Sequence, residues 1–365
     1  MGCAKKSMFT EKTPSRAKPR STSMASIRSW GSVGCGGAKG DSGGMGYPTG
    51  MEAPRRSRES EAGGEAPPTG RFAPSPTGIL HLGNLRTALA SWLSIRAAGG
   101  SWMLRVEDVD GPRCQVDHER RQLQDLEHLG LTWDGAVLRQ SERSEIYREA
   151  LAQLHATYRL YPCHCTRKDL QALASAPHPE DGLRAYPGRC RSRAWEGFEA
   201  ALRFRLPEGS VSWTDRLRGP QVDDPEALTG DPLVFRRDGC FAYHLAVVVD
   251  DGAQGVTEVV RGADLRSVTA TQIRLQQALG LARPAYAHLG MVLAPDGARL
   301  GKRAGALGLA ELEARGADRA ALLGWLGHSL GCLERPEPCS ATDLIPRFRW
   351  DRVPPGDCRV PAEWM

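Results

Sequence analysis

Three stretches of this 365-residue chain hold residue types that could do chemistry. The first, Arg71 to Asn84, reads RFAPSPTGILHLGN. Phe72 and Ala73 end a short apolar start, Pro74, Ser75, Pro76 and Gly78 make a tight loop, and His81, Gly83 and Asn84 head a segment with helical period. Strand, loop and helix N-terminus in that order favour an anion, because the first turn of a helix leaves backbone N–H groups unpaired. Gly83 would let a ligand approach closely, and His81 and Asn84 offer uncharged donors, which suits a nucleotide. Taken alone, a Pro/Gly loop before a helix is more often plain punctuation.

The second stretch is Cys163-His164-Cys165, with Tyr186 and Cys190 beyond a loop. Two Cys one residue apart and a later Cys can meet around one Zn²⁺ if a fourth ligand completes the tetrahedron, with His164 and His178 the ordinary candidates. Three free thiols in a reducing compartment are the plainer alternative. The third stretch, Arg299-Leu300-Gly301-Lys302-Arg303, puts three cations beside a glycine and by itself reads as a surface loop.

These residues need a frame. Trp102 to Val106 reads as a buried strand ending in Glu107-Asp108-Val109-Asp110, so the first stretch and this one make a parallel βαβ unit with acids at the carboxyl end. Ligands lie beyond such strand ends, which puts Glu107 in the same crevice as Arg71 and Ser75. Asp108 and Asp110 serve equally well as an acidic turn before the next helix. Leu85, Ala88, Leu89, Trp92 and Leu93 give the first helix a buried face. Further helices are expected from Val116 to Leu129, with Val116, Leu123, Leu126 and Leu129 inward, from Glu142 to Ala156, and from Thr271 to Leu279. Thr257 to Val260 reads as a strand leading to Arg261, and His288 to Leu293 as another. A buried Arg at a strand's carboxyl end wants a carboxylate, from the chain itself or from an acidic ligand.

Composition is that of an ordinary globular protein, with 41% hydrophobic and 25% charged residues. No apolar run is long enough to cross a membrane. The net charge of +5 sits in residues 1–69, which carry 11 Lys/Arg against 6 Asp/Glu and leave 37 against 37 for the rest. Any nucleic-acid surface on the body is therefore a local patch, best placed at Arg184, Arg189, Arg191, Arg193, Arg203 and Arg205, where a solvated charged face is the alternative. Ten cysteines without a signal-peptide pattern indicate a reducing, cytoplasmic setting. Residues 1–69 are rich in Gly, Ser, Pro and Arg and read as a disordered tail. The favoured account of that tail is a translation start read too early, with Met45 and Met51 available inside it.

Ser75-Pro76-Thr77-Gly78 followed by His81-Leu82-Gly83-Asn84 resembles the first signature of class I aminoacyl-tRNA synthetases in the form worn by the glutamyl branch, and the likeness continues to about residue 300. Within that branch the chain is similar to the short glutamyl-Q family. The resemblance implies a doubly wound parallel α/β sheet of Rossmann type with a small zinc-binding insertion and a short helical C-terminus. It divides the chain at 1–69 (tail), 70–160 and 232–303 (two halves of the catalytic domain), 161–231 (insertion) and 304–365 (helical segment, without an anticodon-binding domain). It implies Zn²⁺ on Cys163, Cys165, Tyr186 and Cys190, glutamate contacts at Arg71, Phe72, Ala73, Pro74, Ser75, Glu107, Tyr243 and Arg261, and ATP with Mg²⁺ over His81, Gly83, Asn84 and Lys302. The 299–303 loop then stands where the family has its mobile KMSKS motif, with Gly301 in place of the serine and Arg299 in place of the first lysine. The expected activity is tRNA-independent activation of L-glutamate and its transfer to queuosine in the anticodon of tRNA(Asp), by a monomer. Two rivals are a truncated glutamyl-tRNA synthetase charging the tRNA 3′ end and a silent RNA-binding relative.

Overall fold

TGRF at 69–72 and SWMLRV at 101–106 form the parallel strands β1 (Thr69–Phe72) and β2 (Ser101–Val106), joined by α1 (Leu82–Ala97). There follow α2 (Val116–His128), the short β3 (Leu138–Arg139), α3 (Ser144–Ala156), β4 (Leu160–Cys163), β5 (Ala201–Phe204), the hairpin β6 (Val211–Asp215) and β7 (Gly219–Asp223), the single turn α4 (Pro225–Leu228) and β8 (Leu233–Phe235). A second run of α5 (Tyr243–Ala253), β9 (Glu258–Gly262), α6 (Thr269–Leu279) and β10 (Ala285–Leu289) leads to β11 (Val292–Leu293), α7 (Leu309–Ala314), α8 (Arg319–Ser329), α9 (Ala341–Leu344) and β12 (Cys358–Arg359). The computed structural model describes residues 66–166, 168–169, 185–195, 197–298 and 308–364. Lys302 and the rest of its loop, His178, Arg184 and the tail up to residue 65 lie outside the described residues.

The main sheet has the order β3-β2-β1-β9-β10-β6-β7 and is parallel except for the β6/β7 hairpin at its edge. The chain builds outward from β1 to β2 and β3, then returns to place β9 and β10 on β1's other side. The switch in direction falls between β1 and β9, the place where open α/β sheets hold ligands. Both faces of the sheet are covered. Val260, Ala287 and Leu289 join the core that holds α1 and the C-terminal helices, whereas Val259 and Tyr286 pack with Ala270 and Ile273 of α6. The alternation follows from the two-residue period of a strand.

Three details differ from the sequence reading. Residues 211–223, counted with the insertion, pair into the main sheet through Tyr286 and Asp215; β4, β5 and β8 form a separate antiparallel sheet. The strand expected from His288 to Leu293 is two strands in different sheets, because at Gly290 a Cβ would lie 2.1 Å from the Gly356 carbonyl oxygen and the chain turns away there. Val116, placed on the inner face of its helix, is 72% exposed, since it starts α2 before that helix meets the core; Leu126 and Leu129 are buried as expected.

The first helix is buried nearly all round, and Arg86 within it is 1% exposed. Its guanidinium donates to the Gly290 carbonyl (3.0 Å), the Ser329 carbonyl (2.9 Å) and the Ser329 hydroxyl (3.1 Å), so α1 is stitched both to the end of β10 and to α8. Leu322, Leu323 and Leu326 of α8 complete the core around Leu85, Leu89 and Leu93. Gly324 allows this docking, because a Cβ there would stand 2.1 Å from the Glu337 carbonyl oxygen. In a free helix Gly→Ala stabilises by about 1 kcal/mol. Here Gly324→Ala is expected to destabilise by about 1–3 kcal/mol through overpacking against backbone, read by urea unfolding; a stabilised variant would contradict the packing described.

Candidate functional site

The carboxyl ends of β1, β2 and β9 carry a cluster of buried charges. Arg71 on β1 donates from Nε to Asp251 Oδ1 (3.1 Å), and Arg105 on β2 reaches the same oxygen (2.8 Å) and Glu107 Oε1 (3.2 Å). Burial alone would push the Asp251 carboxyl up, but the charges of Arg71 and Arg105 hold it below the usual carboxylate range. Glu107 goes the other way: burial raises it, and the attraction of Arg105 and Arg71 only partly offsets that. Tyr243, at the first turn of α5, lies within electrostatic reach of Glu107, Arg261, Arg71 and Asp251.

Arg261 on β9 is 5% exposed and its hydrogen-bond acceptors are all uncharged. Its Nε donates to His288 Nε2 (3.0 Å), one terminal nitrogen to Gln272 Oε1 (2.7 Å) and the other to Thr269 Oγ1 (2.8 Å). Among the described residues it forms no ion pair. Arg71 has an internal carboxylate, whereas Arg261 has none among the described residues.

The loop before α1 is pinned by backbone contacts. Pro74 O accepts from Glu107 N–H (3.0 Å), and Gln122 of α2 donates to the carbonyls of Ser75 (3.1 Å) and Gly78 (2.7 Å). The Phe72 ring points into the core and stacks on Trp102 at 6.2 Å, so only its backbone faces the loop side. Ser75 is exposed, and Ala73 and Pro74 are half-buried. His81 caps α1: its Nδ1 accepts from Gly83 N–H (3.1 Å) and Asn84 N–H (3.4 Å), while Asn84 Oδ1 accepts from His81 N–H (3.1 Å). Two of the helix N–H groups expected to face an anion are therefore occupied by the imidazole. Burial foremost lowers the pKa of the ring against a weaker attraction from Asp264, and with Nδ1 accepting, Nε2 is the nitrogen left to donate. A Cβ at Gly83 would stand 3.1 Å from the His81 ring, a tight contact.

The thiols converge as the spacing allowed. The sulfurs of Cys163, Cys165 and Cys190 lie within 4.8 Å of one another. Cys165 and Cys190 sulfurs are 3.6 Å apart, and the Tyr186 oxygen is 3.6 Å from Cys163 and 3.9 Å from Cys165. Ligands at zinc bond lengths around a tetrahedron stand about 3.5–3.8 Å apart. The four donors fit such an ion. Burial would raise the Cys190 thiol, but hydrogen bonds led by Tyr186 bring it down to about 6, whereas burial foremost raises Cys165 to about 11. His164 is not a member of the cluster.

The arginines beside the thiols are largely spent within the fold. Arg203 is buried, lies 3.6 Å over the Tyr186 ring and donates to Cys163 Sγ (3.3 Å). Arg191 is paired with Asp231 and Glu226, and Arg205 donates to the Arg191 carbonyl. Of the described members of the proposed RNA patch, Arg189 and Arg193 are exposed. Asp108 accepts from Ser141, and Asp110 pairs with Arg113 and Arg236.

Sequence reasoning did not single out Arg105, Asp251, His288, Asp215 or Gln122. A charged residue inside an apolar strand (Arg105) and paired acids closing an apolar helix (Asp250-Asp251) were the available signals.

Residues 69–351 match the family described as tRNA synthetases class I (E and Q), catalytic domain. The chain is 47% identical over 314 residues to a glutamyl-Q tRNA(Asp) synthetase of Symbiobacterium thermophilum, covering 80% of this chain and 96% of that one. It is 49% identical over 247 residues to the protein of the same name from Geobacter sulfurreducens, covering 67% and 79%. The crystal structure of a glutamate-tRNA synthetase from Elizabethkingia anophelis superposes with a TM-score of 0.70 at 27% identity, over 82% of this chain and 69% of the other.

Replacing Asp251 by Asn leaves Arg71 without its internal partner in a dry setting. Asp251→Asn is expected to lower unfolding stability by about 3 kcal/mol in urea titrations. A loss under about 1 kcal/mol, the scale of an exposed pair, would mean that the cluster is in effect solvated.

Proposed function

The chain belongs to the class I tRNA synthetases of the glutamate and glutamine group, and from that membership we propose that it activates L-glutamate with ATP, without tRNA, and transfers the glutamyl group to queuosine in the anticodon of tRNA(Asp). One observation carries the chemistry. Arg71, Glu107 and Arg261 stand at the carboxyl ends of β1, β2 and β9, on either side of the switch between β1 and β9, with Tyr243 at the head of α5 in electrostatic reach of all three. Arg261, with no internal carboxylate among the described residues, and Arg71, which shares the single carboxylate of Asp251 with Arg105 and so keeps part of its charge, match the two carboxylates of an amino acid whose ammonium Glu107 takes. In this reading Arg71 and Arg261 hold carboxylates and Glu107 the ammonium, while Phe72, Ala73, Pro74 and Ser75 line the loop with backbone groups and the Ser75 side chain. ATP lies over His81, Gly83 and Asn84, and Lys302 meets the triphosphate, which class I synthetases bind with Mg²⁺.

The reaction needs no covalent nucleophile from the protein. A glutamate carboxylate oxygen attacks the α-phosphorus, the bond to pyrophosphate breaks, and glutamyl-adenylate forms. A hydroxyl of the queuosine diol then attacks the acyl carbon and displaces AMP. Positioning and charge stabilisation supply the rate. The acceptor is inferred from the relatives' names, and a single-stranded loop with splayed bases is RNA that a pocket can engage specifically. Eight free cysteines among the described residues accord with the cytoplasm.

We further propose that Cys163, Cys165, Tyr186 and Cys190 hold one structural Zn²⁺, which would tie β4 to the loop at 186–190. Protein purified without a His-tag is expected to carry one Zn²⁺ per chain by metal analysis, and Cys190→Ser to lose most of it. Full occupancy in that variant would remove Cys190 from the ligand set.

The function is tested with labelled glutamate. After charging and nuclease digestion the label is expected on the anticodon fragment, and it should be absent with tRNA lacking queuosine. Lys302→Ala should slow glutamate-dependent pyrophosphate exchange by about 100-fold, the scale of one lost transition-state contact. Label on the terminal adenosine would return the protein to ordinary charging, and wild-type exchange no faster than that of Lys302→Ala would favour an RNA binder.

A further inference from the structure

His288 and Asp215 are buried beneath Arg261, and no role in the proposed reaction has been given to them above. His288 stands directly across from Arg261 in the β9/β10 register. Its Nδ1 lies 2.6 Å from Asp215 Oδ2 and its Nε2 accepts from Arg261 Nε at 3.0 Å. Trp213 meets the imidazole edge-on at 5.6 Å and Tyr286 stacks alongside it at 6.2 Å, which fixes the ring plane. The three groups form a line from β6 through β10 to β9, with both His288 and Asp215 essentially inaccessible to water.

We infer that Asp215 and His288 are positioning residues for Arg261, and that they leave its positive charge for a substrate carboxylate. The inference rests on the glutamate reading above. An acceptor is needed at Arg261 Nε, because an unpaired guanidinium N–H in a dry site is costly. A carboxylate there would satisfy the arginine internally and remove its reason to bind another. A neutral imidazole aims the side chain without neutralising it, as Gln272 and Thr269 do at the other two nitrogens. The nearest carboxylate in this line, Asp215, is one imidazole away.

Asp215 decides which way the imidazole faces. Its Oδ1 accepts from the backbone N–H groups of Leu217 (2.8 Å) and Arg218 (3.1 Å), which leaves Oδ2 for the Nδ1 proton of His288. With Nδ1 protonated, Nε2 is an acceptor. Burial foremost and the charge of Arg261 bring the His288 pKa down to about 4 despite Asp215, so the ring stays neutral under ordinary conditions. In Asp215→Asn the oxygen is still claimed by the two backbone donors, so the amide NH₂ faces His288. The imidazole must then carry its proton on Nε2, where it opposes the Arg261 Nε–H and finds only the Thr269 hydroxyl, 3.2 Å away, which already accepts from Arg261.

The test is pyrophosphate exchange with separate titrations of glutamate, glutamine and ATP. For Asp215→Asn the KM for glutamate is expected to rise by about 20-fold or more, with kcat within about threefold and the KM for ATP unchanged, as for a group acting on substrate binding. The glutamate-over-glutamine ratio of kcat/KM should fall by a similar factor. His288→Leu should do the same, whereas His288→Gln, whose amide offers NH₂ to Asp215 and oxygen to Arg261, should restore the KM to within about fivefold of wild type. Equal effects of the Leu and Gln variants, or a glutamate KM unmoved in Asp215→Asn, would overturn the assignment. If His288→Leu does not fold, the isosteric Asp215→Asn decides alone. Wild-type protein that exchanges no pyrophosphate with glutamate would instead defeat the substrate reading on which the inference rests.

Discussion

Two guanidiniums, Arg71 and Arg105, lie almost wholly out of water on neighbouring strands, and one oxygen of Asp251 takes a hydrogen bond from each. Desolvating an ion costs several kcal/mol, so such a cluster is tolerated only in an arrangement that leaves no charge alone. That requirement fixes α5 against β1 and β2. The preceding residue, Asp250, does the same on another side, accepting from Gln140 (2.8 Å), Arg143 (2.7 Å) and Tyr147 (2.7 Å). Consecutive acids therefore anchor one helix to the sheet and to the region around α3, and Tyr243 at the head of that helix is delivered to the site as a result.

The contrast between Arg71 and Arg261 follows from the same energetics. Both are buried to a similar degree, yet one is held by a carboxylate and the other by an imidazole, an amide and a hydroxyl. A neutral acceptor set orients a guanidinium and leaves its charge uncompensated at close range. Under the proposed function, that uncompensated charge is what a carboxylate ligand would meet and an amide would not.

Rigidity at the start of α1 has two sources. His81 and Asn84 close the N-terminus reciprocally, and Arg86 fastens the next turn to β10 and α8. The residues that the nucleotide reading assigns to ATP are thus also the helix cap. The thiol region shows a similar economy: Arg203 and Arg191, legible as a basic surface, are used to stack on Tyr186 and to pair with Asp231 and Glu226.

Tyr186 as a metal ligand is implied only by the family resemblance, whereas local signals in the sequence determined the βαβ start, the buried helix beginning at Leu82, the Cys-x-Cys pair, and the placing of Glu107 and Arg261 at strand ends. Each of these depends on residues close together in the chain, where periodicity and turn chemistry act directly. The tertiary structure alone decided which charges would meet. Asp251 lies 180 residues from Arg71, and Asp215 lies 73 residues from His288. No local pattern encodes those pairings, because they arise when the chain doubles back across the switch between β1 and β9. The same holds for residues 211–223, which leave the insertion to edge the main sheet, and for Gly290, where a passing backbone breaks one expected strand into two. Burial is set by what packs on a residue from elsewhere in the chain, and it is burial that makes Asp251 a clamp and His288 a neutral acceptor.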